Sequence, residues 1–418
     1  MLKNNRIGII GLGYVGLPLA IEFSKKFRTY GFDKSKERIN HLKKNIDKNN
    51  LLNKSEIKNL KKITFESNYK KLNELDIIII CLPTPVKRNK KPDLKLLKSA
   101  SKEIGKNLKK NTTIIFESTV YPGVTEEICI PIIEKSSKLI WKKDFFVGYS
   151  PERISPGKNY KKISNIKKII SGDTIKTERF LKKIYSKIIN AGLFVANNIK
   201  VAEAAKILEN TQRDVNIALM NEVSMIFDKL NINTRDVIKA ASTKWNFGLY
   251  YPGLVGGHCI GVDPYYLSHK SKLIGEKSDL ILTSRKINED MTSYIFGKIK
   301  KKKIKSILIL GITYKEDCND LRNSKVLDLI KILKQNKYKL TISDDIADPN
   351  EFKEISGLKL NKIDKIKTKF DLVILSQPHN YFKKKIKKIV KLAKKTGYFF
   401  DLKSYIPKNE KNNLFWEL

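Results

Sequence analysis

Cysteine and histidine are scarce in this chain of 418 residues, which contains four of each. The four cysteines (Cys81, Cys129, Cys259 and Cys318) are far apart and form no CxxC pair. Structural zinc sites need closely spaced Cys and His ligands, and disulfide-stapled domains are far richer in cysteine. We therefore expect no metal site and no disulfide framework. Cys81 lies in the apolar run IIIICLP and is expected to be a small buried side chain.

Long apolar runs are also missing. No segment approaches the roughly 18 uninterrupted apolar residues that a membrane helix needs. The N-terminal MLKNNRIGII leads directly into a short strand and a glycine turn, without the features of an export signal. We expect a soluble cytoplasmic protein that does not insert into membranes, with two or three domains because of its length.

Acidic residues are few, with 43 Asp and Glu against 84 Lys and Arg, which gives a formal net charge of +41. Such an excess is typical of proteins that bind nucleic acid or an anionic surface. However, the lysines are spread along the whole chain among Ile and Asn, as in YFKKKIKKIVKLAKK. This distribution favours solvated helix faces, so we predict no nucleic-acid partner. A nucleic-acid-binding protein would explain the charge but would leave the motifs below without a role.

Short apolar runs alternate with helical patterns in two parts of the chain. The first part contains RIGIIG, TYGFD, DIIIICLP, NTTIIFEST and FFVGYSP, and the second contains SILILG, KLTISDD and DLVILSQ. Such alternation predicts sheets of mainly parallel strands with helices on both faces. Ligands of such sheets bind beyond the carboxyl ends of the strands.

Between these parts, Ile199 to Leu230 contains no Gly or Pro and predicts one long helix. The predicted fold class is therefore α/β, with two Rossmann-like doubly wound domains (1–197 and 301–418) joined by a central long-helix domain (198–300). So long a helix has more apolar surface than one small domain can cover, which predicts a homodimer.

A glycine motif opens the first domain. Gly11, Gly13 and Gly16 have GxGxxG spacing between a strand and a helix, as in dinucleotide-binding turns. Asp33 follows at the end of the next strand, 17 residues beyond Gly16, where a carboxylate binds ribose hydroxyls. NADP sites prefer a small residue there, so we predict NAD as the cofactor. Arg38 is expected beside the adenine or the pyrophosphate.

The segment YPGLVGGHCIGVDPYYL places Cys259 among four glycines, with His258 beside it and Asp263 four residues later. Glycines let the backbone approach a substrate closely, and this setting favours a reactive thiol over a buried structural one. On the long helix, Lys206, Asn210 and Arg213 are spaced to share one face. That stripe is either a set of functional groups or a solvated face, and the spacing alone does not decide between them.

These motifs together resemble the UDP-glucose/GDP-mannose dehydrogenase family along essentially the whole chain. The resemblance is carried by GLGYVGLPLA, ESTVYPG, GYSPERISPG, PGLVGGHCIGVDPYYL and ITYKEDCNDLRNS. Within the family, the chain looks most like the bacterial UDP-N-acetylhexosamine 6-dehydrogenases of capsule and O-antigen synthesis. The resemblance implies an NAD-binding domain, a helical dimerisation domain and a UDP-binding domain.

The resemblance also implies residue roles. The implied NAD contacts are Gly11, Gly13, Tyr14, Val15, Gly16, Asp33, Arg38, Thr84, Thr119 and Arg322. The implied substrate contacts are Arg153, Ile154, Lys206, Asn210, Arg213, Gly253, Gly257, His258, Tyr314 and Lys315. The implied catalytic residues are Cys259, Lys206, Asn210, Asp263 and Glu152.

The implied reaction is a four-electron oxidation of the C6 hydroxyl of UDP-N-acetylglucosamine or UDP-N-acetylgalactosamine to the acid. Cys259 would form a thiohemiacetal and then a thioester, Lys206 and Asn210 would stabilise an oxyanion, Asp263 would assist proton transfer, and Glu152 would position water. UDP-glucose, UDP-N-acetylmannosamine and GDP-mannose are alternative substrates. A two-electron hydroxyacid dehydrogenase would share the first two domains but would have no use for the cysteine loop.

Overall fold

The computed structural model describes residues 5–48, 52–154, 162–257, 259–407 and 414–418. Two compact units make up this part of the chain. The first contains the described residues up to 209 together with 265–276, and the second contains 210–264 and 277–418.

The first unit is built around an eight-stranded sheet in the order β3-β2-β1-β4-β5-β6-β7-β8. Its strands are β1 (Arg6–Ile10), β2 (Arg28–Phe32), β3 (Ile63–Glu66), β4 (Ile77–Ile80), β5 (Thr113–Phe116), β6 (Phe146–Tyr149), β7 (Lys168–Gly172) and β8 (Leu193–Val195). Its helices are α1 (Gly16–Ser24), α2 (Lys36–Lys43), α3 (Lys54–Ile57), α4 (Lys95–Lys106), α5 (Ile130–Ser137) and α6 (Ile175–Tyr185). Every pair is parallel except β6 and β7.

The central strands of this sheet are apolar on both faces. All four isoleucines of β4 and the three apolar residues of β5 that follow Thr113 are fully buried. Continuous apolar strands of this kind are typical of a parallel sheet that is covered by helices on both sides. The strand order reverses between β1 and β4. In doubly wound sheets, the ligand crevice lies at the carboxyl ends of the strands at such a point.

The helical segments that follow include one that is much longer than the rest. They are α7 (Ile199–Lys229), α8 (Thr234–Ala241), α9 (Asp263–Leu273) and α10 (Asp279–Lys300). The long helix predicted from Ile199 to Leu230 is thus confirmed, and it ends one residue earlier than expected.

The second unit contains a five-stranded parallel sheet in the order β10-β9-β11-β12-β13. Its strands are β9 (Ser306–Leu310), β10 (Lys339–Ser343), β11 (Phe370–Leu375), β12 (Ala393–Asp401) and β13 (Phe415–Glu417). Its helices after α10 are α11 (Lys325–Gln335), α12 (Pro349–Ser356), α13 (Asn380–Lys383) and α14 (Ile386–Val390). Between β9 and α11 runs a loop (311–324) without regular structure.

The predicted fold class, two Rossmann-like sheets with a long helix between them in the chain, is confirmed. Five strands were not predicted (β3, β7, β8, β12 and β13). Two of these, β8 and β13, have only three residues, and β12 begins with AKKTG, so these three lack a clear apolar pattern. The predicted bounds of the three domains stay a prediction. Within the described ranges, no helix is both long and apolar enough to cross a membrane.

Candidate active site

The glycine turn after β1 has the geometry that its spacing predicts. Gly11 has a φ of +92°, and a Cβ on Gly16 would lie 1.8 Å from the carbonyl oxygen of Gly11. A Cβ on Gly13 would meet nothing within 4 Å. Gly16 is therefore required by the packing of α1 on the turn, whereas Gly13 borders open space into which a ligand can fit. Tyr14 and Val15, between these glycines, are half-buried.

Asp33 lies at the carboxyl end of β2, half-buried beside this turn. Its Oδ2 accepts the N–H of Leu12 at 3.0 Å, and its Oδ1 accepts the N–H of Ser35 at 2.9 Å. These two bonds fix the carboxylate and leave it lone pairs for further donors, as a ribose diol requires. The turn and the carboxylate thus fit the adenosine half of a dinucleotide.

Arg38 is held by protein groups. Its Nε and Nη2 donate to the carbonyl oxygen of Leu12 at 3.3 and 3.2 Å, and its Nη1 pairs with Asp47 at 2.8 Å. The side chain therefore braces the glycine turn, and its contact with the cofactor stays a prediction.

Two threonines expected to contact NAD are joined at the ends of β4 and β5. The hydroxyl of Thr84 donates to the carbonyl oxygen of Thr119 at 2.6 Å. Tyr266 donates to the carbonyl oxygen of Thr84 at 2.7 Å. These bonds fix the loops that border the crevice.

The SPERI segment follows β6. Glu152, Arg153 and Ile154 are half-buried and, with Val15 of the glycine turn, line one small pocket. Arg153 pairs with Glu209 of α7 and donates to the carbonyl oxygen of Lys167 at 3.0 Å. The structure thus brings this segment together with the dinucleotide turn.

The three polar residues of α7 differ in exposure. Lys206 is buried, with 5% of its surface exposed, Asn210 is half-buried and Arg213 is exposed. A solvated stripe would leave all three in water, so burial of the Lys206 ammonium favours a functional or structural role for this face.

In the second unit, Cys259 is exposed in the loop that precedes α9. Its carbonyl oxygen accepts the N–H groups of Val262 and Asp263 at 3.0 and 2.8 Å, which closes a turn behind the thiol. Gly257 has a φ of +86°, and a Cβ there would lie 2.6 Å from the ring of Tyr314. Glycine is therefore required at 257. His258 lies outside the described residues.

Asp263 begins α9 and is 2% exposed. Its Oδ2 accepts a hydrogen bond from Nδ2 of Asn210 at 2.5 Å. Two residues that are 53 positions apart, both expected to be catalytic, are thus in contact.

Tyr314 and Lys315 lie in the loop after β9. The Tyr314 ring packs against Gly257, and its carbonyl oxygen accepts Nε2 of Gln377 at 3.2 Å. Burial lowers the pKa of Lys315, and the Arg213 cation adds to the effect, while negative charge on Cys318 or Cys259 would raise it. Lys315 thus shares an electrostatic environment with the exposed thiol. Arg322, expected at the cofactor, pairs through two nitrogens with Asp320 at 2.9 and 2.8 Å.

A buried polar network beside the Cys259 loop was not predicted from the sequence. It consists of Asp214 and Asn221 of α7 with Arg285 and Asn288 of α10, all at most 2% exposed. The available signal was the spacing of Asp214, Ala218 and Asn221, which places two polar residues on an otherwise apolar helix face. Their partners on α10 could not be read from the sequence.

A glycine turn followed by a carboxylate at the end of the next strand, on a doubly wound sheet, is typical of dinucleotide-dependent oxidoreductases, and the separate cysteine loop narrows the class further. Three sequence profiles of one family match the chain: its NAD binding domain at 5–189, its central domain at 200–290 and its UDP binding domain at 308–408. The chain belongs to the UDP-glucose/GDP-mannose dehydrogenase family.

Similar proteins cover the whole length of the chain. Protein CapL of Staphylococcus aureus is 46% identical over 417 residues, which are 98% of each chain. UDP-N-acetyl-D-glucosamine 6-dehydrogenase of Salmonella typhi is 44% identical over 96% of each chain. The solved structure of UDP-D-ManNAc dehydrogenase from Pyrococcus horikoshii is 28% identical, covers 99% of this chain and 98% of its own, and has a TM-score of 0.87.

This membership confirms the predicted enzyme class and cofactor. The protein is an NAD-dependent nucleotide-sugar dehydrogenase with an NAD-binding domain and a UDP-binding domain.

Proposed function

We propose that this enzyme oxidises the C6 hydroxyl of a UDP-N-acetylhexosamine to a carboxylate in two successive two-electron steps, with Cys259 as the covalent nucleophile. The observation that carries the proposal is an exposed thiol in a glycine loop, with the Asn210–Asp263 pair and Lys315 in the same unit. A two-electron dehydrogenase has no need of such a thiol.

NAD, when bound, supplies the oxidising power by accepting one hydride in each step. Gly13 gives it room, Asp33 receives the ribose hydroxyls, and Tyr14, Val15, Thr84 and Thr119 border the same crevice. Arg38 supports the turn through Leu12. Arg322 is proposed as a further contact. Every other step depends on side chains of the protein.

The first oxidation converts the C6 alcohol into an aldehyde, and the hydroxyl proton is released to water near Asp263. The Cys259 thiolate then adds to the aldehyde carbon. A carbon–sulfur bond forms while the carbonyl π bond becomes an alkoxide, which Lys206 and Asn210 stabilise. Protonation of the alkoxide completes a thiohemiacetal.

The second oxidation removes hydride from the thiohemiacetal carbon and a proton from its hydroxyl, which leaves a thioester. Water, positioned by Glu152, attacks the thioester carbonyl, the carbon–sulfur bond breaks, and the acid and the Cys259 thiolate are released. Arg153, Ile154, Arg213, Gly253, Gly257, His258, Tyr314 and Lys315 are proposed to hold the UDP-sugar.

The proposed substrate is UDP-N-acetylglucosamine or its C4 epimer. The support is the identity of 44% with the UDP-N-acetyl-D-glucosamine 6-dehydrogenase of Salmonella typhi, against 35% with a UDP-N-acetyl-D-mannosamine dehydrogenase of Campylobacter jejuni. Both NAD and UDP-sugars are made in the cytoplasm, so the reaction is proposed to occur there. Its product would serve as a precursor for surface polysaccharide.

The substrate test is an initial-rate assay of NAD reduction with UDP-N-acetylglucosamine, UDP-N-acetylgalactosamine, UDP-N-acetylmannosamine, UDP-glucose and GDP-mannose. The two UDP-N-acetylhexosamines named in the proposal should give the highest kcat/KM. If UDP-glucose or UDP-N-acetylmannosamine is the best substrate, the N-acetylhexosamine assignment is wrong while the reaction class stands.

We also propose a homodimer that forms along α7. Val201, Leu208, Leu219 and Ile226 are 45%, 61%, 49% and 49% exposed. Their spacings of 7, 11 and 7 residues keep them within a stripe about 20° wide at 100° per residue. A narrow apolar stripe on a single helix is typical of a helix–helix interface.

Sedimentation equilibrium at micromolar concentration tests the dimer. The native protein should sediment as a dimer, and Leu208→Glu with Ile226→Glu should yield monomers. Ile175→Glu, which changes an apolar side chain on α6 that is 69% exposed, is the control and should remain dimeric. A monomeric native protein would contradict the proposal.

A further inference from the structure

The loop that carries Cys259 has little regular structure to hold it. Between the end of α8 at Ala241 and the start of α9 at Asp263, the described residues form no helix or strand. A nucleophile has to be held to within a fraction of an ångström, so a loop of this length needs fixed points.

One fixed point is the peptide at Gly253, six residues before the thiol. Oδ1 of Asn221 accepts the N–H of Gly253 at 2.7 Å, and Nδ2 of Asn221 donates to the carbonyl oxygen of Gly253 at 3.1 Å. The amide thus pairs with both backbone groups of this residue, as a neighbouring strand would. Asn221 lies in the C-terminal half of α7 and is fully buried.

The orientation of this amide is set by its neighbours on α10. Nδ2 of Asn221 also donates to Oδ1 of Asn288 at 2.8 Å. Nδ2 of Asn288 donates to Oδ1 of Asp214 at 2.8 Å and to its backbone oxygen at 2.9 Å. An ionised carboxylate only accepts, so it must face the NH₂ side of Asn288. The oxygen of Asn288 then faces Asn221, and the oxygen of Asn221 faces the N–H of Gly253.

The negative end of this chain is held by a buried cation. Nη1 of Arg285 lies 2.5 Å from Oδ1 of Asp214, and both side chains are at most 2% exposed. Nη2 of Arg285 lies 3.9 Å from the position that a Cβ on Gly261 would occupy, two residues after the thiol. The network thus forms hydrogen bonds to the loop at Gly253, before Cys259 in the sequence, and lies close to the loop at Gly261, after Cys259.

We propose that Asn221, oriented by Asn288, Asp214 and Arg285, is a positioning residue that sets the location of the Cys259 thiol through the backbone of Gly253. This inference rests on the proposed function, because it assigns the network to the covalent step. The inference goes beyond the proposed function because it names residues to which that function assigns no contact with substrate or cofactor.

Asn221→Asp is a nearly isosteric test. A carboxylate still accepts the N–H of Gly253 but cannot donate to Gly253 or Asn288, so two of the three bonds are lost. We expect kcat to fall by about a hundredfold, the loss caused by a displacement of about 1 Å, while the KM for NAD is unchanged. Ser224→Ala is the matched control. It removes a buried hydrogen bond to the backbone of Asn221 (2.8 Å) without touching the loop, and it should leave kcat unchanged.

A second readout is independent of turnover. The rate at which iodoacetamide alkylates Cys259 is measured against pH by mass spectrometry. In the native protein, the charge of Lys315 favours the thiolate. If Asn221→Asp releases the loop from this cation, the midpoint of the alkylation profile should rise by about one pH unit. The Ser224→Ala protein should keep the native midpoint.

Native kcat and a native alkylation midpoint in a folded Asn221→Asp protein would overturn the proposal. So would an equal loss of activity and melting temperature in Asn221→Asp and Ser224→Ala, because that indicates a purely structural role. If Asn221→Asp does not fold, Asn288→Ala removes the orienting partner and gives the same readouts. The proposed function fails separately, if Cys259→Ala still makes two NADH per sugar.

Discussion

In both sheets, the first strand in sequence is followed by the same glycine turn, but the surroundings of the turn differ. In each, the first strand of the unit runs into a glycine with positive φ, +92° at Gly11 and +79° at Gly311. Each glycine donates its N–H to the last residue of the neighbouring strand, at 2.8 Å to Phe32 and 3.0 Å to Ser343. The next N–H then binds an aspartate, Asp33 or Asp344.

The difference lies in what surrounds the second aspartate. Asp33 is half-buried, and α1 begins five residues after Gly11. Asp344 is 8% exposed, and its oxygens also receive Nε2 of His379 at 3.1 Å and the N–H groups of Ile346 and Ala347 at 2.8 and 2.9 Å. A carboxylate that is saturated by protein donors cannot bind a ribose.

In the second unit, the groups proposed to bind the substrate lie in the loop that follows the turn. Its next helix begins at Lys325, fourteen residues after Gly311, and the intervening loop carries Tyr314 and Lys315. Nδ1 of His379 accepts the N–H of Asp317 at 2.9 Å and so fixes this loop. We therefore propose that the same turn geometry serves cofactor recognition in the first unit and loop positioning in the second, and that the side chains around the aspartate decide between these roles.

The largest expected effect comes from the two glycines of the first turn. Gly16→Ala places a Cβ 1.8 Å from a backbone oxygen, so it should lower the free energy of unfolding by about 3 kcal/mol or more. Gly13→Ala meets open space, so it should leave the melting temperature unchanged and raise the Kd for NAD at least about tenfold, by keeping the pyrophosphate from the backbone. Melting curves and NAD titration check both. Equal stability losses would contradict the assignment of Gly13 to the ligand.

Removal of the Asp344 carboxylate should lower the stability of the protein and leave the binding of NAD unchanged. Asp344→Ala leaves buried donors without acceptors, so we expect a loss of about 2–3 kcal/mol with an unchanged Kd for NAD. Burial raises the pKa of Asp344, but hydrogen bonds from His379, Ile312 and Ala347 outweigh it, so the pKa lies below its usual value.

A lowered pKa in the folded protein stabilises it at pH values above the carboxyl's ordinary value of 3.8. This contribution is lost as the pH falls below that value. The difference in the free energy of unfolding between the native protein and Asp344→Ala should therefore become smaller under strongly acidic conditions, as denaturant unfolding can measure. A difference that stays constant there would contradict this origin of the stability.

Glu203, a buried acidic residue in the first unit, should affect stability with a pH dependence opposite to that of Asp344. Glu203 of α7 accepts the N–H groups of Gly123 and Thr125 at 2.5 and 3.0 Å, and burial raises its pKa from 4.5 to about 7. Between these two values the folded protein binds a proton that the unfolded chain does not, so stability should rise as the pH falls from about 7 to 4.5.

Glu203→Gln should remove this dependence on pH, which corresponds to a change in the free energy of unfolding on the order of 1–3 kcal/mol between pH 7 and pH 4.5. Unfolding in urea at several pH values between 5 and 8 measures it. The surface pair of Lys106 and Glu103 supplies a control, since Glu103→Gln changes a partly exposed carboxylate and should leave the slope intact. An unaltered slope in Glu203→Gln would assign the pH dependence to another group.

The smallest expected effect concerns the choice between cofactors. Asp33→Ala removes a negative charge that would repel a 2′-phosphate, so the preference for NAD over NADP should narrow by about tenfold, or 1.4 kcal/mol. The ratio of kcat/KM for the two cofactors measures this. The same ratio in Asp344→Ala should equal that of the native protein. Equal use of both cofactors by the native enzyme would remove the proposed role of Asp33.

The features that were predicted from the sequence are local or strongly periodic. The glycine turn, Asp33, the long helix and the cysteine loop each occupy one continuous segment whose residue types indicate its structure. By contrast, Asn221 and Asn288 are 67 positions apart, and Asp344 and His379 are 35 apart. Such contacts arise only when helices and strands pack together. The same reason explains why the attachment of Arg38 to Leu12 and Asp47 was missed.

The central claim is that Cys259 converts a two-electron oxidation into a four-electron one, and counting NADH per UDP-sugar consumed tests it most directly. The first hydride needs only cofactor, substrate and a proton acceptor, whereas the second needs a covalent adduct that a positioned thiolate forms quickly. The native enzyme should form two NADH per sugar. Cys259→Ala should melt normally, bind NAD and UDP-sugar, and form at most one NADH with almost no acid. Two NADH per sugar from the Cys259→Ala protein would contradict the covalent mechanism.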